Sequence, residues 1–146
     1  MMPFRIKRRV EFHETDTAQI VHFSNFFRYM ECAEVEFLRS LGLSVAFQDD
    51  DHKLGMPRVS ASCDYLKPAR FQDVLEIAVT LRRLGSKSVT YGFDFFKDGE
   101  PIARGQVSSV CCQLRPGQPL EAVEIPAPIR ERLEHAAWTA PPTSKS

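Results

Sequence analysis

The stretch Arg9–Gly42, RVEFHETDTAQIVHFSNFFRYMECAEVEFLRSLG, decides the reading of this chain. It opens on alternating apolar and polar residues, crosses a polar turn holding Asp16, and enters a Phe-rich segment with helical period. Phe26, Met30, Ala33, Phe37 and Leu41 step by three or four, and Phe27 and Leu38 widen that stripe into a broad apolar face. Such a helix needs covering on more than one side. Ser24 or Asn25 is placed to cap its first turn, and Gly42 to end it in the left-handed conformation. The helix start therefore falls close to Asp16. Unpaired amides and the positive end of the helix dipole gather at such a start and can hold a developing oxyanion. A carboxylate beside it can act as nucleophile or general base.

Outward from this stretch the strand period takes over. Phe4, Ile6, Val10 and Phe12 alternate with polar or basic residues, which predicts a first strand reaching Phe12. After the helix, Leu43 to Leu54 with its acidic run Asp49, Asp50 and Asp51 reads as a solvated loop. Pro57 to Leu66 reads as a strand stopped by Pro68, Val74 to Leu84 as a long strand, and Ser86 to Phe96 as another. Asp98-Gly99 is a hairpin signal that returns the chain through Ile102 to Leu114. A short amphipathic helix is expected over Ile129 to Ala137. The order of one strand, one long helix and four strands implies an α+β domain in which a curved antiparallel sheet wraps the helix. One domain over residues 1–138 is expected, with a loose tail over 139–146. A single curved sheet leaves an edge uncovered, so self-association is expected.

Composition narrows the function classes. Nineteen basic and nineteen acidic residues leave no bulk field to favour nucleic acid or membrane. The first residues carry no apolar run of signal-peptide type, and no later run approaches a membrane span, so a cytoplasmic location is expected. Cys32, Cys63, Cys111 and Cys112 lack metal-ligand spacing and are expected to be buried thiols; no metal site is read.

The run Asp16-Thr17-Ala18-Gln19-Ile20-Val21-His22-Phe23-Ser24-Asn25-Phe26 resembles the opening motif of hotdog-fold acyl-CoA thioesterases of the 4-hydroxybenzoyl-CoA thioesterase type. Members read roughly T-D-x-x-G-[IV]-V, then two mostly aromatic or His residues, a small residue or Pro, and Asn followed by an aromatic. The resemblance extends along nearly the whole chain through the strand order and the turn near Pro68 to Asp73. It implies a hotdog fold, a homodimer or homotetramer, and hydrolysis of an acyl-CoA or aroyl-CoA to free acid and CoA without metal or organic cofactor. Two departures stand out: Gln19 occupies a position where many relatives carry Gly, and His22 or Phe23 replaces a frequent Tyr.

By position, the resemblance makes Asp16 the catalytic carboxylate and the Phe23 backbone N–H the donor that polarises the thioester carbonyl. His22 falls at an aromatic position of the motif, where it could relay protons or line the pocket. Glu31 falls where relatives carry a helix acid, read here as a buried structural carboxylate bonded to a neighbouring protomer. Phe23, Phe26 and Phe27 are expected to serve the core first and the acyl pocket second. Lys87 and Ser88, with Ser86, Arg82 and Arg83, flank a hairpin turn at which relatives often hold the nucleotide, and Arg115 is a further candidate. Met56, Pro57, Val59 and Ser60 lead into a strand that borders the acyl group in relatives. A thioester lacks much of an ester's resonance and leaves as a thiolate, so one carboxylate and an oxyanion donor suffice chemically. Two alternatives share these features: a thioesterase acting on acyl carrier protein, and a hotdog module that binds acyl-CoA without turnover.

Overall fold

A computed structural model describes residues 3–49 and 52–136. Its main sheet has five antiparallel strands in the order β1-β5-β6-β7-β4: β1 Phe4–Arg9, β4 Arg58–Tyr65, β5 Val74–Leu84, β6 Ser88–Lys97 and β7 Glu100–Val110. A long helix, α1 Asn25–Ser40, packs against this sheet. A smaller sheet, β2 (Ala46–Asp49), β3 (His52–Gly55), β8 (Cys112–Leu114) and β9 (Glu121–Ala122), extends the far end, and α2 (Ala127–Glu134) lies against β5. Among the described residues, no helix is long and apolar enough to cross a membrane.

The helical stripe read from the sequence is the buried face of α1. Phe26, Met30, Ala33, Phe37 and Leu38 are all at most 5% exposed, and they meet Ile77, Val79, Leu81, Phe93 and Phe95 of the central strands in one core. Each large side chain so buried contributes about 1.5–3 kcal/mol. Contact is close because β7 carries Gly105 opposite the helix: a Cβ there would overlap the Met30 thioether. Gly42 ends α1 at φ 74°, the left-handed turn expected of it.

Several boundaries differ from the sequence reading, each for a local reason. β1 stops at Arg9, not Phe12. The chain turns into a short 3-10 helix, Phe12–Glu14, because the Glu11 N–H donates to Glu14 Oε1 at 2.7 Å and draws Glu14 inward, leaving Phe12 74% exposed. Leu43 to Leu54 is not simply a loop, since Ala46–Asp49 and His52–Gly55 pair as a hairpin; Asp50 and Asp51 lie outside the described residues. The last helix starts at Ala127, where Pro126 and Pro128 preset the first turn, and runs to Glu134. Ala137 and the tail over 139–146 lie outside the described residues. The four cysteines are free, and Cys111 and Cys112 are buried as expected; Cys32 is exposed because position 32 faces away from the stripe.

Candidate active site

The segment between β1 and α1 is a closed loop. A Thr15–Val21 bridge forms its neck, the Asp16 N–H donates to Ile20 O at 2.9 Å, and the Gln19 N–H donates to Asp16 O at 2.8 Å. Gln19 sits at φ 64°, so this loop keeps the left-handed conformation that would suit Gly and bears the strain of a side chain there. The Val21 N–H donates to Ala69 O at 2.7 Å, pinning the loop to the turn that precedes β5.

Asp16 is half-buried at the crest of this loop. Its Oδ1 accepts the Ala18 N–H at 2.9 Å. The side chain borders two open depressions. One, of about 430 Å³, is lined by Asp16, Ile20, Val21, Phe23, Phe26, Tyr65 and the segment Leu66 to Ala69. The other, of about 770 Å³, is lined by Asp16, Phe12, His13, Gln19, Arg70 and Phe71, with Phe12 and Phe71 in edge-to-face contact at 5.5 Å.

The helix start contributes a single free donor. Val21 N–H donates to Ala69 O, His22 N–H to Glu14 O, Ser24 N–H to His22 Nδ1, Asn25 N–H to His22 O, Phe26 N–H to Phe23 O and Phe27 N–H to Ser24 O. Within this run, and among the described residues, only the Phe23 N–H has no acceptor. The expected side-chain cap is not made. Ser24 has helical backbone angles, and its hydroxyl meets His22 Nδ1 at 2.7 Å instead. Consequently the first-turn amides are occupied by bonds to the third residue back, which is narrower than the cluster of free amides that the sequence suggested.

Phe23, Phe26 and Tyr65 form the apolar wall of the smaller depression. The Phe26 and Tyr65 rings are 5.2 Å apart, and the Tyr65 hydroxyl donates to Phe23 O at 2.9 Å. Phe26 is core and wall at once, at 3% exposure, and Phe27 packs half-buried against the core. Phe23, at 61% exposure, is not a core residue: it stacks on the His22 ring at 4.6 Å and faces the depression. The thiol of Cys63, two residues before Tyr65, is pushed up to about 11, chiefly by desolvation, so it is no thiolate at neutral pH.

Other expected positions fall elsewhere. Glu31 is exposed, not buried, and reaches Arg58 at 3.8 Å. The buried helix carboxylate is Glu34, three residues on, whose Oε1 accepts from Arg58 Nη2 at 2.8 Å. Burial pushes its pKa up, the Arg58 charge and hydrogen bond oppose the rise, and Glu31 adds to it. Arg83, Ser86, Lys87 and Ser88 lie at the β5–β6 turn, which also binds α2 through Arg130 and Gly85 O. β5 begins beside the Asp16 loop, where the Val10 N–H donates to Asp73 O, and runs eleven residues to Leu84. At about 3.3 Å per residue, the turn is roughly 33 Å from the loop within one protomer. Pro57 and Val59 stand at the start of β4, the opposite end from Tyr65. Arg115 bonds Gln113 at 2.8 Å in the small sheet.

Four residues that the sequence reading passed over matter here: Glu14, Tyr29, Glu34 and Tyr65. Tyr29 and Glu34 had a signal, since both fall on the buried side of the same helical wheel, four residues before Ala33 and four after Met30. Tyr65 had none, because its partner lies 42 residues away, and for Glu14 only the turn bond to Glu11 is local, its helix partner Tyr29 lying 15 residues on.

The sequence matches the Thioesterase-like superfamily over residues 10–133. A 1,4-dihydroxy-2-naphthoyl-CoA hydrolase of Thermosynechococcus vestitus is 28% identical over 131 residues, covering 89% of this chain and 88% of its own length. Among solved structures, a hypothetical protein from Aquifex aeolicus has a TM-score of 0.77 at 33% identity, covering 90% of this chain and 99% of that one. A gentisyl-coenzyme A thioesterase has a TM-score of 0.78 at 31% identity, covering 89% and 99%. With the family match running from the end of β1 into α2, and a central helix held by a curved antiparallel sheet, this chain belongs to the thioesterase-like superfamily, thioester hydrolases with the hotdog fold of the 4-hydroxybenzoyl-CoA thioesterase type.

Proposed function

We propose that this protein hydrolyses an acyl-CoA or aroyl-CoA thioester to free acid and CoA. The observation that carries the reading is the shared depression: half-buried Asp16 and Phe23, the residue whose N–H has no acceptor, line the same apolar recess. A thioester whose acyl group lies against the wall made by Phe26 and Tyr65 can direct its carbonyl oxygen to the Phe23 N–H, at the positive end of α1. Asp16 then attacks the carbonyl carbon or takes a proton from a water that does so, the C–S bond breaks, and the thiolate leaves without needing a strong acid; on the first route a water then hydrolyses the mixed anhydride, releasing the acid and restoring the Asp16 carboxylate. His22, stacked on Phe23 and bonded to Ser24, keeps the ring of Phe23 over the recess.

β4 ends at this recess with its outer edge unpaired in the sheet, and a second copy of the chain is the natural cover. Antiparallel pairing of β4 with its own copy about Ser62 would bring Pro57 and Val59 of that copy to the Tyr65 end, where they border the acyl group. The roughly 33 Å between Asp16 and the β5–β6 turn leads to the same conclusion for the carrier. Lys87 and Ser88, with Ser86 and Arg83, serve the nucleotide of a thioester bound at another protomer's Asp16, so the working unit is a homodimer or homotetramer. Names borne by relatives, naphthoyl-CoA and gentisyl-CoA among them, together with the aromatic wall, favour an aroyl group.

Hydrolysis of a panel of aroyl- and acyl-CoAs, followed by thiol release, tests the reading. Asp16→Asn is expected to lower kcat on the order of a hundredfold or more. Undiminished turnover in that variant removes Asp16 from the mechanism. Single turnover in heavy-oxygen water assigns its role, since label enters the side chain only if the carboxylate is the nucleophile.

A further inference from the structure

Beside the Asp16 loop, and not among the residues that line the recess, lies a buried carboxylate that the proposed chemistry does not use. Glu14 is 4% exposed, and its two oxygens accept from Arg8 Nη2 at 2.5 Å, the Glu11 N–H at 2.7 Å and the Tyr29 hydroxyl at 2.8 Å. Its backbone carbonyl takes two more donors, the His22 N–H at 2.9 Å and Asn25 Nδ2 at 2.8 Å. The Arg8 guanidinium also lies over the Tyr29 ring, 5.2 Å from its centre.

One residue thus joins β1, the 3-10 turn, the returning arm of the loop, and the first two turns of α1. Asp16 is two residues beyond it, and Phe23 is one residue beyond the His22 amide that it holds. A buried carboxylate is costly unless fully satisfied, and packing β1 on α1 would be achieved as well by an apolar side chain of similar volume. A fully satisfied polar cluster does something an apolar contact does not: it admits one relative placement of the groups it joins.

We propose that Glu14, braced by Arg8 and Tyr29, is a positioning residue that sets the Asp16 carboxylate and the Phe23 N–H at their working separation; this rests on the role given to Asp16 above. Burial and the neighbouring Glu14 both raise the Tyr29 pKa, so its hydroxyl remains a donor across the working pH range. A loosened cluster would leave substrate binding intact while the carbonyl carbon and the carboxylate miss alignment, and misplacement on the scale of 1 Å costs up to about a hundredfold in rate.

The test uses the full chain and the panel substrate with the highest kcat/KM. Tyr29→Phe and Arg8→Gln each remove one partner and leave the carboxylate two others; Glu14→Gln alters the centre. Expected are kcat losses of about tenfold for Tyr29→Phe, a few-fold for Arg8→Gln and up to about a hundredfold for Glu14→Gln, with KM within about twofold of wild type. Leu133→Ala, a buried position in α2, gives the baseline for destabilisation alone: a lower Tm with kcat per folded molecule unchanged. Behaviour of Tyr29→Phe and Arg8→Gln like that of Leu133→Ala overturns the positioning role, whether or not Glu14→Gln folds. The two readings fail separately. An unimpaired Asp16→Asn defeats the catalytic assignment and this inference with it, whereas an impaired Asp16→Asn beside a fast Tyr29→Phe defeats this inference alone.

Discussion

The Asp16 loop and strand β4 border the same recess and are finished to very different degrees. In the loop, backbone donors from Val21 to Phe27 find acceptors within the chain except at Phe23, and the buried acid beneath them has three donors. β4 is the last strand of its sheet, paired with β7 on one side only, and its residues are almost all exposed, with Val59 at 63% and Tyr65 at 44%. The loop is bonded throughout by its own chain, as the proposed pairing of Asp16 with the Phe23 N–H would need. A strand with an open ladder leaves its outer backbone groups without a sheet partner, and exposed edges of this length are normally paired or blunted. On the proposed reading, the single chain would carry the reacting groups complete and the enclosing wall incomplete.

The strongest way to break this contrast is at the edge. Val59→Asp changes a side chain that touches little in one protomer, so it should leave the monomer folded with Tm within a few degrees. If β4 pairs with its own copy, two carboxylates are brought into that seam, and the dissociation constant should rise at least about tenfold. Turnover should fall by roughly the same factor at concentrations where the variant dissociates. Light scattering with parallel kinetics reads both, and a variant that stays dimeric with full activity sinks the pairing along β4.

Tyr65→Phe sharpens the contrast from within the recess. Its hydroxyl is the link from the unfinished strand to the finished loop, donating to Phe23 O at 2.9 Å. One such bond contributes about 1 kcal/mol, so the variant should lose about fivefold in kcat while the aromatic wall, and hence KM, is kept. An equal loss in a Phe23→Leu variant combined with Tyr65→Phe would place the effect on the ring contacts instead of the hydrogen bond.

The same division governs how much was legible in the sequence. Local period fixed α1 and β5 to the residue or nearly so, because every apolar position of the stripe Phe26 to Phe37 reports on one face. Asp16 was legible because its motif is contiguous. Glu14 and Tyr65 were not, as each gains its meaning from a partner far along the chain. The hairpin of β2 and β3 was hidden by brevity and charge: each strand has four residues, and although Phe47 and Leu54 turn toward the core, the acidic run from Asp49 dominates the stretch between them. Glu31, read as lying one residue past the stripe, is exposed in the single chain. Four residues after Met30, position 34 is the one on the stripe.

Glu34 offers the mildest test, because it is a buried charge held by the unfinished side of the molecule. Its partner Arg58 belongs to β4 and is about one-third exposed, with Glu31 facing the same guanidinium from 3.8 Å. Desolvation outweighs that attraction, so the folded-state pKa lies above that of the unfolded chain. The native state then binds the proton more tightly, and stability from this residue is greatest below the ordinary carboxylate range near 4.3, falling as pH rises through the raised value. Glu34→Gln removes this dependence while still accepting a hydrogen bond from Arg58. Subtracting the Tm–pH curve of the variant from that of wild type cancels the other carboxylates. The difference should move in favour of wild type by a few degrees as pH is lowered from 7 toward 4. Parallel curves would mean that the Arg58 charge and hydrogen bond offset the desolvation of Glu34 in full, and the exposed strand would then hold its buried partner as well as a covered one does.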